Sequence, residues 1–333
     1  MRVFITGGSG MIGRRLARRL IERGDQPVVL SRDSNQTRRK ASMRGIAVIE
    51  GDPTKEGSWQ EEIDGFDAVV NLAGQSIFGG RWDDEFKRQI RESRVLATDQ
   101  LIKAISEARK RPGVFVQGSA IGYYGPRDDE ILKEGSPPGT DFLAKVCRDV
   151  EAAARPVESL GVRLATIRTG VVLGQGEGAL GVMVPIFKWL PGGAAPVGNG
   201  GHPYHPGKGR QWISWIHLED IVGLFLLALD DASARGPING TAPKPVRNCD
   251  FSKELARVLH RPFLPVGPPD IVLRAALGEK AQVVTTGQRV LPGRAEELGY
   301  SYLYPELPAA LDSVFAPEKP EPKPAAAHGA SHH

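Results

Sequence analysis

Seven residues near the N-terminus, Gly7-Gly8-Ser9-Gly10-Met11-Ile12-Gly13, constrain this chain more than any other feature. They follow a short β-branched and apolar run, Met1 to Thr6. They lead into Met11 to Arg23, where Ile12, Leu16 and Leu20 recur four apart before Gly24. A short apolar run bounded by glycine predicts a buried strand, and apolar residues four apart predict one face of a helix. Gly7, Gly10 and Gly13 therefore make a G-x-x-G-x-x-G turn between strand and helix. In such a turn one glycine makes the tight exit from the strand and the next lets main chain approach a pyrophosphate. The third brings the helix close to the sheet, and the helix start offers unpaired N–H groups to phosphate oxygens.

The alternation continues. Pro27 to Ser31, Ala47 to Glu50, Ala68 to Leu72, Val114 to Gln117 and Arg163 to Arg168 predict strands. Glu85 to Arg109 and Phe142 to Leu160 predict helices. Strands alternating with helices predict an α/β fold, a doubly wound parallel sheet of Rossmann type. After Gly170 the texture changes to glycine and proline. A short apolar helix is expected near Met183 to Leu190, a strand at Trp212 to Ile216 and a helix at Leu218 to Leu229. Trp212 and Trp215 are expected to share one strand face, and His217 to cap the helix after it. The expected division is a dinucleotide-binding domain over 1–173, with 212–232 returning to it. A smaller α/β substrate domain would be built from 174–211 and 233–315. The tail 316–333, rich in proline, lysine, glutamate and alanine, is expected to be disordered.

The second strand ends at Ser31-Arg32, where an NAD enzyme usually places a carboxylate on the ribose 2′-hydroxyl. A hydroxyl and a guanidinium suit a 2′-phosphate instead, so the expected cofactor is NADP(H) rather than NAD(H), with Asp33 one place later as the competing carboxylate. Asp52, ending the third strand, is placed to meet the adenine amino group. Asn71-Leu72-Ala73-Gly74 ends the fourth strand with small residues beside the cofactor. The expected contact set is Thr6, Gly7, Gly10, Met11, Ile12, Gly13, Ser31, Arg32, Asp52, Leu72, Ala73 and Gly74.

A net charge of +4 over 333 residues, with the basic residues scattered, argues against a nucleic-acid partner. Two cysteines, Cys147 and Cys249, lie too far apart for a zinc pattern, so no metal site is expected. The longest apolar stretch, Ile221 to Leu229, is too short to span a bilayer. With no leader ahead of the first strand, the expectation is a cytoplasmic protein.

The chain resembles the extended short-chain dehydrogenase/reductases, and more narrowly their atypical epimerase-family oxidoreductase subgroup. The resemblance rests on the glycine turn, Asn71-Leu72-Ala73-Gly74, Gly80-Arg81-Trp82 and Ile90-Arg91-Glu92-Ser93-Arg94. It continues through Ser119-Ala120-Ile121-Gly122-Tyr123-Tyr124-Gly125, Phe142-Leu143-Ala144 with Cys147, and Gly209 to His217. Ala276-Leu277-Gly278-Glu279 and Gly287 to Pro292 extend it to roughly residue 315. It implies a Rossmann domain, a small C-terminal substrate domain with the active site between them, and NADP(H) as cofactor.

The broader group uses serine, tyrosine and lysine, the last two four apart on a helix so that both face the nicotinamide. That dyad is absent: Asp141 stands four before Lys145, and Leu143 four before Cys147. The usual serine position falls on Ala120, with Ser119 one place early. Ser119, Tyr123 and Lys145 are the substitutes expected to be catalytic, and Arg81, Trp82 and Arg210 are expected to hold substrate. A contact with a protein partner or a second copy is expected through an apparent insertion at 197–208 or through the tail. Two functions follow: an NADP(H)-dependent oxidoreductase or epimerase-like enzyme for a small molecule, or a non-catalytic NADP(H)-binding, redox-responsive partner or assembly subunit.

Overall fold

The structure, a computed structural model, describes residues 1–189, 210–263, 275, 278–280, 282 and 285–316. The segment 197–208 and the tail from 317 onward, where a partner contact is expected, lie outside the described residues. The chain opens with β1 (Arg2–Thr6), α1 (Met11–Glu22), β2 (Gln26–Ser31), α2 (Ser34–Arg39), β3 (Ala47–Glu50), β4 (Ala68–Asn71), α3 (Asp84–Glu107) and β5 (Val114–Ala120). There follow β6 (Ile131–Leu132), α4 (Phe142–Ala154), β7 (Arg163–Thr169), β8 (Val171–Leu173) and α5 (Gly178–Trp189). The later elements are β9 (Trp212–Ile213), β10 (Trp215–His217), α6 (Leu218–Asp230), β11 (Gly236–Gly240), β12 (Val246–Arg247), α7 (Asn248–Val258), β13 (Arg289–Val290), α8 (Gly293–Glu297) and α9 (Leu307–Phe315).

Seven strands form one parallel sheet in the order β3-β2-β1-β4-β5-β7-β11. This is the doubly wound Rossmann order, and it reverses direction between β1 and β4. A crevice opens at that point above the carboxyl ends of the strands. Successive strand residues face opposite sides. Val3 and Ile5 of β1, Val70 of β4 and Val116 of β5 pack against Leu16 and Leu20 of α1 and Leu224 and Phe225 of α6. Phe4, Val69 and Phe115 point the other way, into a core with Leu101 and Ile105 of α3 and the indole of Trp59. Each such large apolar side chain contributes roughly 1.5–3 kcal/mol by leaving water.

Gly236–Gly240, which the sequence assigns to the second domain, is the seventh strand of this sheet, in register with Ala165 to Thr169. Its brevity and its glycines hide the strand pattern. α6 packs on the main sheet. Arg15 of α1 donates to both carboxylate oxygens of Glu219 at 2.6 and 2.9 Å, joining the two helices. At the other end of α6 the buried Arg163 guanidinium donates to the carbonyls of Ala228, Leu229 and Ala234, where the helix leaves carbonyls without partners. α4 stops at Ala154 rather than running to Leu160. Pro156 lacks the N–H that would continue the ladder, and a 3-10 turn spans Arg155–Leu160.

A smaller core gathers Leu173, Leu180, Trp215, Phe251, Leu255, Leu307 and Leu311. Trp212 and Trp215 do not share a face: residues three apart on a strand point oppositely, and the strand breaks at Ser214. Trp215 is fully buried and donates to the Lys244 carbonyl. Trp212 lies under the Arg247 and Arg289 guanidinium groups and donates to Asp129. Among the described residues no helix is long and apolar enough to cross a membrane.

Candidate functional site

Two cavities, each of about 570 Å³, flank the glycine turn and share Gly7, Gly10 and Leu72, so they form one continuous groove along the crevice. Gly7 has φ +65°, and a Cβ there would stand 2.3 Å from the Leu72 carbonyl oxygen, so backbone fills the space a side chain would need. Gly10 caps α1 without a side-chain hydrogen bond, and the first turn of that helix carries no acidic residue. The N–H groups and the positive end of the helix dipole therefore face the groove uncompensated.

The first cavity is polar and lies over β2 and β3. Ser31, Arg32, Asp52, Leu72, Ala73 and Gly74 line it, together with Thr37, Lys40 and Thr54. The Ser31 and Thr37 hydroxyls share a hydrogen bond of 2.8 Å, and Arg32 is exposed at the rim. Asp33, the competing carboxylate, caps α2 by accepting from the Gln36 N–H at 2.8 Å. Asp33 still lines this cavity, beside the cations Arg32 and Lys40. Burial raises the pKa of Asp52, but hydrogen bonds from the Thr54 N–H and hydroxyl (3.0 and 2.7 Å), with Lys55 and Arg32 nearby, outweigh it and hold the carboxylate below its ordinary value.

Thr6 does not line the groove. It is fully buried and donates to Asn71 Oδ1 at 2.6 Å. Asn71 in turn donates to Thr98 and Gln117 at 3.1 and 3.0 Å. This network fixes the ends of β1, β4 and β5 and so the floor of the crevice. The sequence could not show it, because a strand-end threonine reads the same pointing in or out.

The second cavity is mostly apolar. Met11, Ile12 and Gly13 line it on one side, and Ile77, Phe78, Trp82, Phe142, Leu143 and Val146 on the other. Trp82 stacks edge-on against Phe142 and donates to the Ile77 carbonyl at 2.9 Å. The C-terminal segment closes it with Gln282, Thr286 and Gln288. Gln282 donates to Asp141 Oδ2 at 3.0 Å, while Oδ1 of the same residue caps α4 by accepting from the Ala144 N–H at 2.7 Å.

The residues expected to be catalytic stand elsewhere. On β5 it is Ala120 that lines the cavity, and Ser119 turns away to donate to Glu151 Oε1 at 2.8 Å. Tyr123 lies under the Arg168 guanidinium at 3.5 Å, and the buried Tyr124 hydroxyl donates to Asn239 at 2.7 Å. Lys145 is exposed on the outer side of α4. Four residues of α4 line the cavity, as two pairs one turn apart: Phe142 with Val146, and Leu143 with Cys147. Asp141 caps the helix, and that start sets which residues of α4 face the cavity. Burial pushes the Cys147 thiol up to about 11, with Glu151 acting the same way, and contacts with the Ala120 backbone and Ser119 hydroxyl offset this only in part. Arg81 is exposed in the loop before α3, and Arg210 is exposed and gives its carbonyl to Arg247.

One cavity residue has no role in the sequence reading. Arg94 of α3 reaches the second cavity, with Nη1 donating to the Ile90 carbonyl at 2.9 Å. Burial pulls its pKa down, the Cys147 side chain opposing. The run Ile90-Arg91-Glu92-Ser93-Arg94 marked the family, and each position now has a place. Ile90 is core, Arg91 pairs with Asp149 of α4 at 2.6 Å, Ser93 accepts from the Gln75 N–H at 2.9 Å, and Glu92 lines the first cavity.

A Rossmann sheet with a glycine-turn groove and a closing C-terminal segment defines a protein of the dinucleotide-binding, extended short-chain dehydrogenase/reductase class. The model of the NAD dependent epimerase/dehydratase family matches residues 3–239, and that of a domain of unknown function, DUF1731, matches residues 268–314. The chain belongs to the NAD dependent epimerase/dehydratase family, in its atypical epimerase-family branch. It is similar to the epimerase family protein SDR39U1 homolog, chloroplastic, of Arabidopsis thaliana, with 42% identity over 94% of this chain and 86% of that one. It is 36% identical to the epimerase family protein YfhF of Bacillus subtilis, over 96% and 99% of the two chains. The crystal structure of human epimerase family protein SDR39U1 (isoform 2) with NADPH matches with a TM-score of 0.80 at 33% identity, covering 95% of this chain and 99% of that.

Proposed function

We propose that this chain binds NADP(H) along the two joined cavities and acts as an oxidoreductase or epimerase-like enzyme on a small molecule held in the second. The observation that carries the reading is the groove's division. Its first half presents a hydroxyl pair and two cations where a 2′-phosphate would lie, its middle is a bare helix N-terminus, and its second half is apolar and closed by the C-terminal segment. The Met11, Ile12 and Gly13 N–H groups hold the pyrophosphate. Arg32, with Ser31, Thr37 and Lys40, holds the 2′-phosphate, and Asp52 accepts from the adenine amino group. The human relative carries NADPH in its crystal structure.

When bound, the nicotinamide supplies a hydride donor or acceptor. Ile77, Trp82, Phe142 and Leu143 keep water from the reacting end, which strengthens every polar contact made there. The Cys147 Sγ holds its proton at neutral pH. Arg81, Arg210, Ser119, Tyr123 and Lys145 have no part in this reading. The absence of a tyrosine–lysine pair supports a second reading, a non-catalytic NADP(H)-binding protein that signals the redox state of the bound nucleotide.

The test uses competitors that carry only the adenosine half. Adenosine 2′,5′-bisphosphate is expected to displace NADPH at least tenfold better than adenosine 5′-phosphate, and equal displacement would contradict the assigned halves. NADPH carrying deuterium at the transferred position then separates the two functions. Label recovered in a carbonyl substrate supports the enzyme, and tight binding without transfer supports the sensor.

A further inference from the structure

Most described arginines that leave bulk water are matched to acceptors; Arg289, whose buried Nε has none, lies over the Trp212 ring, and Arg94 is the other exception. Arg163 spends its guanidinium on three carbonyls, and Arg168 spends its own on Glu151 at 2.8 and 2.9 Å and on the Tyr124 hydroxyl. Arg94 gives one N–H to Ile90, in the preceding turn of its own helix. No carboxylate among the described residues pairs with it. It lies against the Gly74 backbone: a Cβ there would stand 2.8 Å from Cζ, 2.9 Å from Nε and 3.0 Å from Nη2. The loop carrying Gly74 is itself tied to α3 through Ser93. A guanidinium stays charged in a protein, and a partly enclosed cation without a counter-charge is costly. Arg94 lines a cavity shared with Ile77, Phe78, Trp82, Phe142 and Leu143.

We propose that Arg94 is the anion-binding residue of the second cavity and that the substrate is a small molecule carrying a carboxylate or phosphate on an apolar body. The planar fork of donors matches either oxyanion in a two-point contact, and the anion supplies a counter-charge that no described carboxylate gives. Asp141, the carboxylate in the same lining, is held by the helix cap and by Gln282 and so does not compete. The substrate assignment rests on the nucleotide filling the rest of the groove. The alternative source of an oxyanion is the nucleotide's own pyrophosphate, because Gly74 also borders the first cavity.

The experiment titrates benzoate, phenyl phosphate and neutral benzamide into the NADPH-saturated protein by calorimetry, for wild type, Arg94→Gln and Arg94→Lys. Wild type is expected to bind the two anions at least tenfold more tightly than benzamide. Arg94→Gln is expected to lose that preference while its NADPH affinity stays within threefold, and Arg94→Lys is expected to keep part of it. Anion and benzamide binding that are equal in wild type, or unchanged in Arg94→Gln, would overturn the proposal. So would a tenfold loss of NADPH affinity with anion binding intact, which would give Arg94 to the pyrophosphate. If Arg94→Gln does not fold, Arg94→Lys decides: a weakened anion preference supports the assignment, and an unchanged one overturns it. The same titrations without nucleotide keep a failure of NADPH binding, which would sink the groove reading, apart from a failure of anion binding.

Discussion

Leu143 and Cys147 stand one turn apart on α4 and line the same cavity. Dehydrogenases of this class place a tyrosine and a lysine at that spacing, where the lysine charge eases proton exchange by the tyrosine. Here an isobutyl group adds apolar wall, and a buried thiol replaces the ammonium. With its pKa pushed to about 11, Cys147 is about one part in a thousand thiolate at pH 8, against roughly a quarter for an unperturbed thiol. Iodoacetamide at pH 8 is therefore expected to label Cys147 in the native protein at least tenfold more slowly than in urea, measured by peptide mass spectrometry. Equal rates would mean an activated thiol in the cavity.

Glu151 holds together the region behind that cavity. It accepts two hydrogen bonds from the buried Arg168 and one from Ser119. Removing one partner of a buried pair leaves the other charge uncompensated, at a cost of about 3–5 kcal/mol. Glu151→Gln is expected to lower stability in urea denaturation by that order. Ser119→Ala, which removes one neutral donor at the edge of the network, is expected to cost about 1 kcal/mol. A Glu151→Gln protein as stable as wild type would mean that Arg168 finds another acceptor.

The parts of this molecule that are legible in its sequence depend on local order. The glycine turn, the strands on either side of it and the Ser31-Arg32 strand end are set by periodicity and by residues close in the chain, and the structure puts them at one crevice. What the sequence misplaces depends on direction. Ser119 and Ala120 are neighbours, but strand alternation sends one to Glu151 and the other to the cavity. Asp141 and Lys145 have the spacing of a functional pair, yet the helix begins at Asp141 and turns Lys145 outward. Thr6 lies at the right strand end and faces the interior. Arg94 sits inside a recognisable run, but only the fold of α3 against the β4 loop shows that it reaches the cavity with no carboxylate partner among the described residues.

His217 gives the fold a dependence on pH. Its Nδ1 caps α6 by accepting from the Glu219 N–H at 3.1 Å, as its place before the helix predicts, and its ring packs on Tyr304 at 3.9 Å. Burial lowers its pKa to about 4, with Glu219 opposing. The unfolded chain then binds this proton more readily than the folded one. The stabilisation is full above about pH 6.5 and is lost as the pH falls toward about 4, by an amount on the order of 3 kcal/mol. His217→Asn, which keeps a capping oxygen, is expected to flatten that part of the urea-stability profile between pH 6.5 and 4. A wild-type profile that is flat there, or an unchanged one in the variant, would contradict the assignment.

Binding of NADP(H) in the groove underlies every functional statement above, and fluorescence titration with NADPH and NADH, repeated on Arg32→Ala, tests it most directly. Wild type is expected to bind NADPH at least tenfold more tightly than NADH. A charge-assisted hydrogen bond is worth ~1.5–3 kcal/mol, so the alanine variant is expected to lose about tenfold or more for NADPH and little for NADH. Equal affinities in wild type would remove the 2′-phosphate assignment, and no binding of either nucleotide would contradict the reading of the glycine turn itself.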